Sequence, residues 1–244
     1  MKRRWFFYLA LTGLAFVPSL ALAQSLTLDL GEGASTTGRI LQLLILTTLL
    51  SVAPSLLIMI TCFTRIVVVL SFLRTALGTQ NTPPQMVMAS LAVFLTMFIM
   101  APTFQESYQQ GIAPLITGKV NEMDALNMAA KPFHAFMLKH TREKDIGLFL
   151  EISKTPMPAT AEQTPFQVLV PAFMISELRR AFEIGFLIFI PFVIIDMVVS
   201  SVLMSMGMMM LPPTMIAMPF KIIFFVLIDG WYLVVGSLVK SFGA

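Results

Sequence analysis

Charged side chains are scarce in this sequence of 244 residues. They make up 12% of the chain, whereas 57% of its residues are hydrophobic, and the mean hydropathy is +0.86. An ordinary soluble domain contains about 25% charged residues. A soluble all-helical protein would need more charge than this to cover its surface. The shortage of charge therefore excludes an ordinary soluble domain and indicates a membrane protein.

Residues that carry catalysis or hold metals are also few. The sequence has one cysteine, Cys62, and two histidines, His134 and His140. A single thiol cannot form a disulfide within the chain, and neither histidine has Cys, His or Asp neighbours at metal-ligand spacing. The P-loop, nucleophile-elbow and H-E-x-x-H motifs are absent from the sequence. We therefore expect no catalytic, cofactor-binding or metal site, no cofactor and no enzymatic activity.

The small basic excess does not indicate nucleic acid as a partner. The chain has 16 Lys and Arg residues against 13 Asp and Glu. Three of the basic residues are Lys2, Arg3 and Arg4, so a chain cleaved after Ala23 carries 13 charges of each sign. No Lys/Arg cluster then remains to follow a phosphate backbone.

Residues 1–23 have the pattern of a secretory signal peptide. A charged start precedes an apolar core at 5–17, and Ala21-Leu22-Ala23 fits the small-x-small cleavage pattern. We expect cleavage between Ala23 and Gln24, which places the mature N-terminus outside the cytoplasm. An uncleaved membrane anchor is the alternative.

Hydropathy along the chain predicts an all-α membrane protein with about four long hydrophobic helices, arranged as kinked hairpins, plus a small helical extracytoplasmic domain. We expect several copies to assemble into a helical oligomer. The runs 40–64 and 86–104 are free of charge and long enough to cross a hydrocarbon core of about 30 Å. The predicted boundaries are a cleaved signal peptide at 1–23, a flexible lead at 24–39, a hydrophobic hairpin at 40–104, a helical periplasmic domain at 105–165, and a second hydrophobic hairpin with a methionine loop at 166–244.

Prolines and glycines predict where these helices bend and stop. The helical pattern of 40–64 continues to residue 77, with a bend expected at Pro54 and a stop at Gly78. Pro132 is expected to break a helix at 122–139. A short amphipathic helix is predicted at 142–153. A further apolar run at 215–239 is interrupted only by two charges.

Four charges lie close together near the start of the second hairpin: Glu177, Arg179, Arg180 and Glu183. Their i,i+3 and i,i+4 spacing allows pairing on one helix. Surface pairs at a helix end are one interpretation. An inter-subunit charge network within a helical assembly is the other.

Asp196, Lys221 and Asp229 are single charges within apolar runs. An unpaired charge at membrane depth is costly, so we expect each of these buried charges to find a partner or water. Lys221 is expected to pair with Asp196 or with a carboxylate on a neighbouring copy. Proton relay is the alternative role.

Met208, Met209 and Met210 stand between Gly207 and a double proline. Methionine is unbranched and flexible, and it fills irregular gaps. Several copies around an axis would form a deformable apolar ring that excludes ions but parts for a polypeptide. The alternative is a membrane-embedded turn without a pore role.

Three long runs of this sequence resemble one known family. They are TCFTRIVVVLSFLRTALGTQNTPP at 61–84, PAFMISELRRAFEIGFLIFIPFVIIDMVVSSVLMSMGMMMLPP at 171–213, and PFKIIFFVLIDGW at 219–231. The sequence resembles the FliP family, the P component of the bacterial flagellar type III export gate, which is related to the R component of injectisomes.

The resemblance implies a pentamer-like homo-oligomer that assembles with the Q and R export-gate components, next to basal-body ring and export-apparatus proteins. It implies a gate in the bacterial inner membrane, much of it on the periplasmic side, that passes unfolded rod, hook and filament subunits. It also implies a gasket at Met208, Met209 and Met210, and assembly contacts at 177–183 and Lys221. A passive scaffold and an ion-coupled transporter working through Asp196, Lys221 and Asp229 remain as alternatives.

Overall fold

The computed structural model describes residues 36–79, 82–208 and 211–243. Every regular element in these ranges is a helix, so the predicted all-α class is confirmed. The predicted signal peptide, its cleavage site between Ala23 and Gln24, and most of the expected flexible lead lie outside the described residues. Met209 and Met210 lie outside them as well.

The helices follow one another along the chain with short connections. In order they are α1 (Thr36–Met59), α2 (Phe63–Leu77), α3 (Gln85–Ser107), a π-helical turn (Tyr108–Ile112), α4 (Ala113–Ile116), α5 (Glu122–His140), α6 (Glu143–Ile152), a 3-10 turn (Ala161–Gln163), α7 (Phe166–Ser205), α8 (Pro213–Leu227) and α9 (Gly230–Lys240).

Two stretches of the described chain are long and apolar enough to cross a membrane. One runs from α3 through α4 over residues 85–116, and the other is α7. The bent pairs formed by α1 with α2 and by α8 with α9 raise the number to four if each pair counts as one span. This range agrees with the four long hydrophobic helices expected from hydropathy.

The break between α1 and α2 corrects one prediction. A continuous helix to residue 77 was expected, but α1 ends at Met59 and α2 begins at Phe63. The Thr61 hydroxyl donates to the Ile58 carbonyl and accepts a hydrogen bond from the Phe63 backbone N–H. A threonine side chain can offer the backbone such an alternative to helical hydrogen bonds. The predicted stop at Gly78 is confirmed, because this residue is left-handed with φ of +74°.

A second break divides the last apolar run. The axes of α8 and α9 differ by 63°, and Asp229 stands at the joint with φ of +51°. A side chain at the following residue, Gly230, would overlap the ring of Phe225. Glycine therefore allows the two helices to meet at this close joint.

The expected break at Pro132 is wrong. This proline is buried inside α5, which runs without interruption from Glu122 to His140. Proline costs a helix one hydrogen bond, and the packing of α5 on α3 and α7 holds the helix together across it. The amphipathic helix predicted at 142–153 is confirmed as α6.

The long helix α7 is the element on which the compact unit 51–244 is built. At 40 residues it is about 60 Å long, and it packs against α2, α5, α6 and α8. Its closest approach to α2 is at Gly185, where a side chain would overlap the ring of Phe72. The main core contains residues of α2, α3 and α7 with Leu238 and Phe242 near the C-terminus. Cys62 is buried there as a free thiol.

Candidate functional site

A buried ion pair joins the start of α2 to the first half of α7. Arg65 is 3% exposed and Glu177 is fully buried. The Arg65 Nε donates to Glu177 Oε2 at 2.8 Å, and Nη2 donates to Glu177 Oε1. Such a two-point bond between guanidinium and carboxylate is directional as well as strong. It fixes the register of α2 against α7.

Residues that follow α9 complete the surroundings of Arg65. Its Nη1 donates to the Ser241 hydroxyl at 2.9 Å and to the Ser241 carbonyl at 3.3 Å. Its Cζ lies 3.7 Å from the centroid of the Phe242 ring, within the range of a cation–π interaction. Three distant segments of the chain therefore meet around one guanidinium.

Arg65 was not among the predicted site residues, and the position of Glu177 corrects a prediction. Glu177 was expected to pair along its own helix with Arg180, but its carboxylate bonds Arg65 on α2. The remaining members of the predicted network do pair with one another. Arg179 and Arg180 lie 2.9 and 3.4 Å from Glu183, and all three side chains are exposed. An arginine within an otherwise apolar helix is the signal that would have pointed to Arg65, although Arg74 on the same helix gives the same signal.

A second polar cluster connects α6 to α7 next to this ion pair. Arg142 bonds both carboxylate oxygens of Asp145 at 2.9 Å. The Ser176 hydroxyl donates to Asp145 and accepts from the Arg142 backbone N–H. Ser176 and Asp145 are both buried. The polar region between α5 and α6 is thereby held on the same part of α7 that carries Glu177.

Both histidines have aromatic or backbone partners. The Nε2 of His134 lies 2.7 Å from the Thr164 carbonyl oxygen. His140 lies at the end of α5, with ring centroids 4.8 Å from Phe136 and 5.2 Å from Phe242. Burial, with the positive charges of Arg65 and Lys139, lowers the pKa of His140 to about 4. No group of three or more potential metal ligands occurs in the described residues.

The second half of α7 carries another ion pair. Lys221 on α8 is 5% exposed, and its Nζ donates to Asp196 Oδ2 at 2.7 Å and to the Ala76 carbonyl at 3.1 Å. Of the two partners expected for Lys221, the structure places Asp196 beside it. Asp196 is only partly buried, and its Oδ1 has no hydrogen-bond partner among the described residues.

Asp229 departs from the expected buried charges. It is exposed at the joint between α8 and α9, and does not lie inside an apolar helix. Its left-handed backbone, with φ of +51°, lies at the break of the bent pair formed by α8 and α9, so neither helix encloses its side chain. Asp196 and Lys221 are therefore brought together, and Asp229 is not part of that pair.

The methionine loop lies between two well-defined helix ends. The N–H of Gly207 bonds the Met204 carbonyl and the N–H of Met208 bonds the Leu203 carbonyl, with φ of +73° at Gly207. This pair of bonds is a Schellman motif, which stops a helix at a glycine. Pro213 begins α8, a position that favours proline. The loop starts at Met208, which is 43% exposed; its gasket role stays a prediction.

Large apolar side chains cover the outside of α7 and α8. In the most apolar window of α7, 11% of the residues are buried within the chain. Exposed side chains on these two helices include Phe186, Leu187, Ile194, Met197, Val198, Phe220, Ile223, Val226 and Leu227. A groove between the helices, lined by Val198, Val202 and Phe220 among others, is almost entirely apolar. Contiguous apolar surface on this scale marks contact with a membrane or with other proteins.

Comparison with known proteins gives a consistent result. The family model described as "FliP family" matches residues 46–238. The chain is 57% identical to the flagellar biosynthetic protein FliP of Caulobacter vibrioides, over 96% of this chain and 88% of that protein. It is 57% identical to the Bacillus subtilis protein of the same name, over 86% of this chain and 94% of that protein. The corresponding Agrobacterium fabrum protein is 47% identical, over 97% of this chain and 98% of its own length.

Proposed function

Because the chain belongs to the FliP family, we propose that it is a pore-forming subunit of the flagellar type III protein export gate. A membrane-associated component of flagellar biosynthesis and export follows from the family together with the apolar helices. The proposal adds a conduit built from several copies of this chain and closed by the methionine loop. It also assigns the chain a non-enzymatic role.

The apolar outer surface of α7 and α8 is the observation that carries this proposal. A chain that left so much apolar surface in water would aggregate, so lipid or protein must cover it. Arg179, Arg180 and Glu183 are exposed on the same helix as this surface. Charges are costly against lipid chains but common at the polar rim of protein interfaces. We therefore propose that neighbouring subunits cover much of α7.

The partners follow from the same reasoning together with the family. Identical copies would share the exposed faces of α7 and α8 in a homo-oligomer, and the Q and R export-gate components and basal-body ring proteins would cover the rest. Unfolded rod, hook and filament subunits would pass through the centre. The gate would lie in the bacterial inner membrane, with the polar region of α5 and α6 on the periplasmic side.

The methionine loop is proposed as the gasket of the closed gate. Gly207 and Pro213 fix the ends of the loop, so each copy would present Met208, Met209 and Met210 to the central passage in the same way. Thioether side chains deform easily and fill irregular gaps. A ring of such loops would block ions in the closed state and yield to a chain of variable sequence.

Membrane conductance tests this proposal. Replacing Met208, Met209 and Met210 together by alanine is expected to raise ion leakage through the assembled gate before secretion is lost. The matched control replaces three exposed methionines elsewhere, Met86, Met123 and Met157, and should leave conductance unchanged. Leakage equal to that of the unaltered protein in the loop variant, with the complex intact, would contradict the gasket.

Conductance of the loop variant, together with a transport assay on the purified protein, separates the alternative functions. A passive scaffold predicts normal assembly and unchanged conductance in the loop variant. An ion-coupled transporter predicts transport by the purified protein alone, with a pH profile that changes in variants of Asp196, Lys221 and Asp229.

A further inference from the structure

The segment after α9 crosses to parts of the chain that are far away in sequence. Ser241 accepts two hydrogen bonds from Arg65, and the buried ring of Phe242 lies against the guanidinium. The same ring stacks on Phe136 with a centroid distance of 6.2 Å and meets His140 edge-on at 5.2 Å. Residues 241–243 thus connect the C-terminal end of α9 to the ends of α2 and α5.

These contacts supply the remaining partners of Arg65 in the buried ion pair. Glu177 occupies Nε and Nη2 of Arg65, and Ser241 occupies Nη1. Phe242 covers the face of the guanidinium. An arginine in the interior needs partners for its donors, since an unpaired buried charge is costly. Without this segment, Nη1 and one face of Arg65 would lack the partners that they have here.

Two of the three charged side chains named around this segment, Arg65 and Lys139, are cations. Those that act on His140 are Arg65 from α2 and Lys139 from its own helix. Glu177 from α7 is bonded to Arg65, and the C-terminal segment presents an aromatic ring and a serine. The Lys139 Nζ also lies 3.9 Å from where a side chain at Gly243 would begin. A protonated His140 would place a further cation in this group.

We propose that residues 241–243 form an acid-sensitive strap, which closes over the Arg65–Glu177 ion pair while His140 is neutral and opens when His140 is protonated. The strap would join the polar region of α5 to α2 and α9 at neutral pH. Its opening would expose the ion pair to water and free the end of α5. This device is independent of the proposed pore.

The direction of the pH effect follows from the state of His140. Burial and the nearby positive charges lower the pKa of His140 to about 4 when the strap is closed. With the strap open, the ring is hydrated and titrates near its ordinary value of about 6.5. The open form therefore binds a proton more readily between these values. Opening should become easier as pH falls from about 6.5 towards 4, and it should change little above this window.

Hydrogen exchange of the full-length protein in nanodiscs measures this opening. The backbone N–H groups of Ser241, Phe242 and Gly243 each donate to a carbonyl of the preceding turn, so a closed strap protects them. Protection is compared at each pH with an unstructured peptide of the same sequence, which removes the intrinsic effect of pH. We expect the unaltered protein to lose protection in this segment on the order of tenfold between pH 7 and pH 5.

Two histidine variants decide whether His140 is responsible. His140→Gln cannot take up a proton, so its strap should stay protected at pH 5. His134→Gln is the matched control, because His134 bonds Thr164 and is not part of this cluster; it should lose protection as the unaltered protein does. Equal loss in His140→Gln and the unaltered protein would overturn the proposal, as would full protection of the unaltered protein at pH 5.

A third variant tests the ring itself. Phe242→Ala should expose the segment at pH 7 as well as at pH 5, since the ring holds it against Arg65, Phe136 and His140. If that variant does not fold, Phe242→Leu retains apolar bulk without the aromatic face and should show intermediate protection. Full protection of the segment at pH 7 in Phe242→Ala would overturn the strap.

Discussion

The two halves of α7 differ in both charge and surroundings: the first carries four charged residues and the second only Asp196. The first half, residues 166–185, presents a buried face with Val168, Leu169, Ala172, Phe173, Ser176, Glu177, Ala181 and Gly185. The second half, residues 186–205, has only Phe192 and Leu203 buried. The first half packs against other helices of the same chain, whereas the second half leaves most of its apolar side chains exposed.

The difference indicates which part of the chain is complete by itself. Where α7 meets α2 and α6, even charged groups are enclosed and satisfied within the chain, as Glu177 and Asp145 are. Along the second half, apolar groups have no cover from the chain, although burial of such groups is the main source of folding free energy. The buried face of the first half therefore stabilises the chain, whereas most of the second half is available for contact with its surroundings.

Each half also contains one ion pair that joins distant helices, and the two pairs differ in burial. Arg65 and Glu177 are both almost fully buried. In the other pair Lys221 is buried but Asp196 is partly exposed. Because water can compensate a partly exposed group, losing the first pair should cost more than losing the second.

The largest expected effect is that of Glu177→Ala. It leaves Arg65 buried without its carboxylate, and loss of one partner of a buried pair costs about 3–5 kcal/mol. The free energy of unfolding, measured by chemical denaturation in detergent, should fall by about this amount. Glu183→Ala is the matched control on the exposed side of the same helix. If the free energy of unfolding fell equally in both variants, the buried and exposed faces of residues 166–185 would not differ in their contribution to stability.

A smaller loss is expected for Asp196→Ala in the second half. Lys221 would keep its bond to the Ala76 carbonyl but lose its carboxylate, at a cost of about 1–3 kcal/mol. Asp229→Asn removes an exposed charge at the joint after α8, keeps a residue type that tolerates the left-handed backbone there, and should have no measurable effect in the same denaturation assay. If Asp196→Ala lowered the free energy of unfolding as much as Glu177→Ala, the ion pair of the second half would be as enclosed as that of the first.

The close approach at Gly185 marks the boundary between the halves. Gly185→Ala would force a methyl group into the ring of Phe72, which is packed against Phe182 and Phe189. Overpacking of this kind costs about 1–3 kcal/mol. Gly236→Ala in α9 has open space around it and should stabilise the helix by up to about 1 kcal/mol. Thermal unfolding of both variants in the same detergent would show opposite shifts; a stabilised Gly185→Ala protein would contradict the close contact.

The smallest effect on the chain itself is expected for Arg180→Ala. Its side chain is exposed and lies 3.4 Å from Glu183, and exposed pairs contribute little to folding. If this surface contacts neighbouring copies, as proposed, the variant should lose the oligomer band in a native gel while its denaturation midpoint stays unchanged. If the oligomer stayed intact, Arg180 would not be needed for contact between copies of the chain.

Local signals in the sequence were enough to predict the helical framework. Apolar run length predicted the membrane-scale helices, because a helix must be about that long to cross a bilayer. Gly78 ends its helix with the left-handed conformation that glycine favours. The amphipathic pattern of 142–153 likewise predicted α6. These features depend on residues within a few positions of one another.

The partners of the charges depended on tertiary structure. Glu177 bonds a residue 112 positions away, although its spacing to Arg180 favoured a local pair. Packing of α2 on α7 decided this, because burial leaves a carboxylate no water and requires a directed cation. Asp229 is exposed because the chain turns at that residue. Helix length and helix ends are thus determined by residues close together in the sequence. Burial and charge pairing are determined only when distant helices pack against one another.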